Sequence, residues 1–127
     1  MVFDFEKIDV YRLSLEVLDL SVEVAESVPR GQRHLADQMK RAASSISLNI
    51  AEGVGEYKPL EKARFYRMAL RSASETGAIL QIMRRLKIIN DPSYQTFYEA
   101  LTRVSKMLTK LIASMNSRAS GRDRDGA

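Results

Sequence analysis

An all-α fold, an antiparallel up-down four-helix bundle, is what this chain predicts, and three observations predict it. From Tyr94 onward, Phe97, Leu101, Val104, Leu108, Leu111 and Met115 follow at alternating steps of three and four residues. Phe65, Ala69, Ser72, Thr76, Ile79, Met83 and Leu86 repeat that spacing one helix earlier. The pattern lines one helix face, and short connections between such helices favour antiparallel packing at about 20°. The third observation is Gln38–Gly53, QMKRAASSISLNIAEG. It is helix-compatible throughout, yet Ala42, Ala43, Ser44, Ser45, Ser47 and Ala51 stand where a core helix is usually bulky. Small side chains let a neighbouring backbone come close, and Asn49 and Glu52 beside them then need partners.

Each element follows from its ends. Helix one is predicted from Val10 to about Val28 with Asp9 as N-cap, and Pro29-Arg30-Gly31 breaks it. Helix two spans Arg33 to Gly53, stopped by Gly53 and Gly55 through left-handed backbone geometry. Helix three starts at Pro59, whose fixed φ suits a first turn, and runs to about Lys87. Helix four follows Ile89-Asn90-Asp91-Pro92, with Asp91 as N-cap and Pro92 at N1, and ends near Ser117. Residues 1–117 thus form the bundle, and 118–127, small and charged, are predicted to be a disordered tail.

Helix one carries more apolar surface than a bundle seam needs. Val10, Leu13, Val17, Leu20, Val24 and Val28 make one face. Leu15, Leu18, Val22 and Ala25 make a second, separated from the first by Ser14 and Ser21. Together they span roughly 220° of the helical wheel, about twice the stripe a bundle requires. Monomers rarely leave a large apolar patch in water. Leu15, Leu18 and Val22 are therefore expected to meet another subunit.

Composition narrows the classes. At 127 residues the chain is one domain able to bury a real core, and without cysteine it has no disulfide or thiolate chemistry. The N-terminus does not read as a signal peptide. Val10–Val28 is interrupted by Arg12, Glu16, Asp19, Glu23 and Glu26, so no membrane span is expected, and a cytoplasmic protein follows by elimination. Net charge is +4, unevenly placed. Residues 1–29 carry seven acids and two bases, and residues 30–127 nine acids and eighteen bases. Such segregation favours a polyanionic partner or contact between copies.

Catalytic constellations are lacking. A di-metal centre in a bundle needs two Glu-x-x-His motifs and two further glutamates, whereas His34 is the one histidine. No metal and no cofactor is expected. Ser44, Ser45 and Ser47 have no activating base nearby in sequence, and Gly53-Val54-Gly55 lacks the ending of a phosphate loop. If the turn between helices two and three centres on residues 56–57, a polar ladder forms. It pairs Arg41 with Glu75 and Glu52 with Arg64, while Asn49 and Ser72 satisfy the remaining hydrogen bonds. A carboxylate site from Glu52 and Glu75 is the chemical alternative, but nearby arginines would hold both acids ionised.

Basic stripes give the functional lead. Arg64, Arg67, Arg71 and Arg85 share one face of helix three, and Arg103, Lys106 and Lys110 line helix four opposite its apolar seam. Such rows can track a phosphate backbone without reading sequence. Tyr57 and Tyr66 are the candidate stacking aromatics. The same arginines could instead pair with Glu16, Asp19, Glu23 and Glu26 of another copy.

Leu35–Gly53, LADQMKRAASSISLNIAEG, followed by Arg64-Phe65, Ala69, Ser72 and Glu75, resembles a known family. It is that of the bacterial four-helix-bundle proteins encoded in intervening sequences of 23S ribosomal RNA genes. Phe5, Asp9 and Val10 look like the family's opening, and the likeness covers about residues 4–115. It implies an up-down bundle assembled as a ring-like homopentamer, without established catalytic activity. A structurally similar group, the accessory variability determinants of diversity-generating retroelements, binds a reverse transcriptase and nucleic acid through such a pentamer. Three positions depart from the pattern. Glu56 replaces an arginine, Lys58 a capping serine, and Arg71 a small residue, so Arg71 must point outward or find an acid.

The expectation is a non-enzymatic homo-oligomer, pentameric by resemblance, acting as scaffold or accessory to RNA or an RNA-handling protein. A purely structural assembly without nucleic-acid binding is the rival. A small-molecule enzyme would need an enclosed polar pocket with Glu52 and Glu75 unpaired.

Overall fold

The computed structural model describes residues 3–125. Four long helices carry the chain: α1 (Asp9–Glu26), α2 (Arg33–Gly55), α3 (Pro59–Arg85) and α4 (Asp91–Asp125). Short 3-10 turns at Asp4–Lys7 and Arg30–Gln32 precede α1 and α2. No strand occurs among the described residues, so the chain is all-α. Consecutive helices pack together, and α1 also packs on α4. The core they enclose includes Met39, Ile46, Ile50, Leu80, Met83, Phe97 and Leu108, all fully buried. Each such side chain removed from water contributes about 1.5–3 kcal/mol.

α1 is organised differently from its predicted pair of faces. Ser14 and Ser21, read from sequence as the boundary between them, lie fully buried in the middle of the seam with Val10, Val17 and Val24. Each hydroxyl donates to the carbonyl three residues back, Ser14 to Tyr11 at 2.6 Å and Ser21 to Leu18 at 2.7 Å. That bond satisfies the polarity locally, and the small side chain then serves as a packing notch. Ser14 Oγ also lies 2.8 Å from Ser47 Oγ, tying α1 to α2. Ala25, assigned to the outer face, is buried.

Helix ends depart from the predicted caps at three places. Ile8, not Asp9, occupies the N-cap of α1, and Asp9 begins the helix itself. At α4 the cap is Asn90, whose Oδ1 accepts from Ser93 N–H at 2.9 Å, so Asp91 falls inside the first turn. α2 continues to Gly55, and among the described residues no glycine has positive φ. Its last carbonyls are held from α3 instead. Lys62 Nζ donates to Val54 O at 2.8 Å and Gly53 O at 3.4 Å, a cation at the negative end of a helix. Burial, and then the charge of Arg118, lower the Lys62 pKa.

Gly53 is required by contact rather than by conformation. A Cβ there would stand 2.6 Å from Tyr66 Cε1 and 3.2 Å from the Lys62 carbonyl oxygen. Ser45 likewise meets Ser72. A turn centred on residues 56–57 would have set Ser45 against Met68, so the true register is about one helical turn further along. The continuation of α2 by two residues, to Gly55, accounts for part of that shift.

Left-handed backbone occurs at a position with no glycine to announce it. Lys87, after α3, has φ 62°. Its N–H donates to Arg84 O at 3.0 Å and that of Ile88 to Met83 O at 2.9 Å, a Schellman stop. Leu86, expected in the core, is consequently exposed. Arg84 clamps the connection, with Nε 3.3 Å from Asp91 Oδ1 and its guanidinium 4.3 Å from the Tyr94 ring centroid. α4 then continues past Ser117 to Asp125, through residues predicted to be a disordered tail. Arg118 donates to Met115 Sδ at 3.4 Å, and Ala119 and Gly121 are half-buried. Residues 126 and 127 lie outside the described residues.

Two substitutions test these assignments. Gly53→Ala is expected to destabilise the fold by about 1–3 kcal/mol through overpacking against Tyr66, seen as a lower urea midpoint. Lys87→Gly is expected to raise stability by about 1 kcal/mol, since glycine adopts the left-handed conformation without the Cβ penalty. An unchanged midpoint for Lys87→Gly would show that the lysine stem repays that penalty by packing.

Candidate nucleic-acid interface

The seven predicted cations stand on two helices, and all are exposed: Arg64, Arg67, Arg71 and Arg85 on α3, Arg103, Lys106 and Lys110 on α4. Arg71 points outward, which settles how α3 accommodates charge at a position where the resembling family has a small residue. Among the described residues Arg64 is the member of this set in an ion pair, with Nε 2.9 Å from Glu61 Oε2. Its guanidinium also lies 4.6 Å from the Phe65 ring centroid. An exposed pair of this kind contributes little and yields readily to a phosphate.

The candidate aromatics separate sharply. Tyr57 is 95% exposed in the α2–α3 connection, whereas Tyr66 is 2% exposed beneath Gly53. Burial raises the Tyr66 pKa, with Arg118 acting in the opposite direction. Tyr66 therefore belongs to the helix seam, and Tyr57 alone of the two is open to a base.

The polar ladder takes another form. Arg41, Glu52 and Glu75 are exposed, and among the described residues neither Arg41–Glu75 nor Glu52–Arg64 is an ion pair. The one-turn shift of register removes the opposition on which both pairs depended. In their place runs a chain of neutral groups. Asn49 Nδ2 donates to Ser45 O at 2.9 Å and Ser45 Oγ at 3.0 Å, and Ser72 Oγ donates to Ser45 Oγ at 2.9 Å. Thr76 Oγ1 extends it by donating to Ser72 O at 2.8 Å. Asn49 and Ser72 were legible in the sequence. Ser45, the acceptor between them, reads in the sequence as a small residue without an activating base, and its distance of four from Asn49 is the available signal.

Glu52 and Glu75 do not converge. Glu52 lines a shallow groove with Phe3, Phe5 and Leu48, while Glu75 stands exposed on α3. Among the described residues no three His, Cys, Asp or Glu side chains are placed to hold a metal ion, and no helix is long and apolar enough to cross a membrane. Two further clefts lie near the helix connections and on the α3–α4 face. One, of about 360 Å³, lies between the end of α1 and the α3–α4 connection and includes Glu23, Asn90 and Ser93. The other, of about 600 Å³, runs between α3 and α4 and includes Lys106 and Lys110. On α1, Leu15 is 37% exposed and Val22 42%, with Leu18 half-buried between them.

Long helices joined on seams of alanine, serine and glycine, with cations turned outward, define a small all-α protein. The chain belongs to the 23S rRNA-intervening sequence protein family, whose model matches residues 6–110. In fold it is similar to a protein of unknown function from the S23 ribosomal protein family of Bacteroides thetaiotaomicron, known from a 1.70 Å crystal structure. That likeness has a TM-score of 0.77 at 24% identity and covers 81% of this chain and 97% of the other. No curated protein matches the sequence.

Ser45→Ala is expected to cost about 1–2 kcal/mol in urea unfolding, since it removes an acceptor from both Asn49 and Ser72. Arg41→Ala and Glu75→Ala should each stay within about 0.5 kcal/mol of the parent. The opposite order would restore the charged ladder.

Proposed function

We propose that this protein is a non-enzymatic, homo-oligomeric accessory protein of the cytoplasm that contacts RNA, directly or through an RNA-handling partner. Each protomer is an antiparallel up-down four-helix bundle. Support for that arrangement comes from Ser45 with Ser72 and Gly53 with Tyr66, partners that move oppositely along α2 and α3. Assembly as a homopentamer follows the family likeness, and the exposed Leu15 and Val22 supply an apolar surface for it.

The observation that carries the RNA reading is the row Arg64, Arg67, Arg71 and Arg85, open to solvent along α3. Guanidinium groups in such a row meet successive phosphates as forks, and each neutralised phosphate releases counterions. Tyr57 and Lys58, exposed at the same end of α3 as Arg64, add one stacking surface and one more cation. Recognition of this kind is electrostatic and tolerant of sequence.

Arg64→Glu, Arg67→Glu and Arg71→Glu combined are expected to abolish RNA retention at low salt while leaving subunit number unchanged. The slope of log K against log salt should be steeper for the parent protein than for a double variant by about 1 for each arginine removed. RNA binding by the triple variant equal to that of the parent would refute the assignment of this face.

A further inference from the structure

We infer that the groove between α3 and α4 is the receptor for the α1 ridge of a second copy, making the contact between subunits head-to-tail. This inference rests on the homo-oligomeric reading and assigns its two surfaces.

The groove has apolar walls although hydroxyls line it. Thr102 Oγ1 donates to Tyr98 O at 2.9 Å and Thr109 Oγ1 to Ser105 O at 2.8 Å. Both hydroxyls are thereby turned back onto α4. The floor on α3 is Ala73, Ser74 and Gly77. Gly77 has no reason within the chain to be glycine. Its φ is not positive, and a Cβ would meet only Leu101 Cδ1, at 4.0 Å. Glycine weakens a helix interior relative to alanine. Gly53 is explained by Tyr66, whereas Gly77 is explained only by something that approaches from outside.

The ridge suits that space in shape and charge. Leu15, Leu18 and Val22 follow one another at steps of three and four, so they form a single row. Asp19 and Glu26, each four residues after an exposed apolar side chain of the row, flank it and are exposed. The groove lining holds two lysines, Lys106 and Lys110, and no acid. An apolar row with an acidic shoulder thus faces an apolar trough with a basic edge. Because the two surfaces differ and both occur on every copy, the contact is heterologous and propagates from copy to copy. Lys106 and Lys110 then serve assembly, and the RNA row narrows to the α3 arginines.

Charge exchange without RNA tests this. Asp19, Glu26, Lys106 and Lys110 are exposed, so exchanging their charges leaves folding alone, which circular dichroism verifies for these variants and for substitution of the half-buried Gly77. Lys106→Glu with Lys110→Glu, and separately Asp19→Lys with Glu26→Lys, should each raise the dissociation constant of assembly at least about tenfold by sedimentation velocity. The four changes in one chain should bring it back to within about threefold of the parent. Gly77→Leu, filling the trough, should dissociate the assembly at any ionic strength. A parent protein that sediments as a single copy at tens of micromolar would end the oligomeric reading itself. A parent that assembles, with the lysine pair and Gly77→Leu assembling equally well, would overturn only this choice of surfaces.

Discussion

Close approach of α2 to α3 governs the rest of the molecule. Gly53 lies under the Tyr66 ring with no room for a Cβ, and two turns away Ser45 bonds Ser72. Helices held this near one another cannot slide, because interiors are packed as densely as organic crystals and a shift of one turn would drive bulk into the notch. The register fixed there decides which α3 side chains face outward. Arg64, Arg67 and Arg71 are surface residues because Ala63, Tyr66 and Ala69 are seam residues. The candidate interface is thus a by-product of packing on the opposite side of the same helix.

Neutral hydroxyl bonds, rather than charged pairs, carry that register. Ion pairs taken out of water lose hydration that their attraction repays only in good geometry. Serine and threonine avoid the problem by returning their hydroxyls to the carbonyl of the preceding turn, as Ser14, Ser21 and Thr76 do. No buried side-chain polar atom among the described residues lacks a partner. The charged residues Arg41, Glu52 and Glu75 are left on the surface, with no ion pair to any of them among the described residues.

Much of the fold was legible because apolar periodicity is a direct imprint of which face meets the core. The four helices, the start of α3 at Pro59 and the breaks at Pro29 and Asn90-Asp91-Pro92 followed from that and from backbone chemistry. What escaped was whatever depends on a neighbour not adjacent in sequence. Ser14 and Ser21 look like a polar divide until α2 is placed against them. Lys87 adopts a left-handed conformation that nothing in a lysine advertises, and Lys62 caps a helix nine residues behind it. The exposed cations of α3 and α4 assigned to the candidate interface are legible on the wheel, while Lys58 in the connection is not, and the charged ladder fails on a register error of one turn. An error of that size is invisible to periodicity, since a helix looks the same after each turn.

The placement of the tyrosines has a practical corollary. The chain has five and no tryptophan, so its intrinsic ultraviolet emission comes from phenol rings alone. Tyr66 and Tyr94 are enclosed and Tyr57 is immersed in solvent, while Tyr98 forms part of the α3–α4 trough and stacks on Tyr94 at 5.7 Å between centroids. The molecule therefore carries an unlabelled optical probe at the edge of one candidate contact surface, and fluorescence can follow events there without any dye.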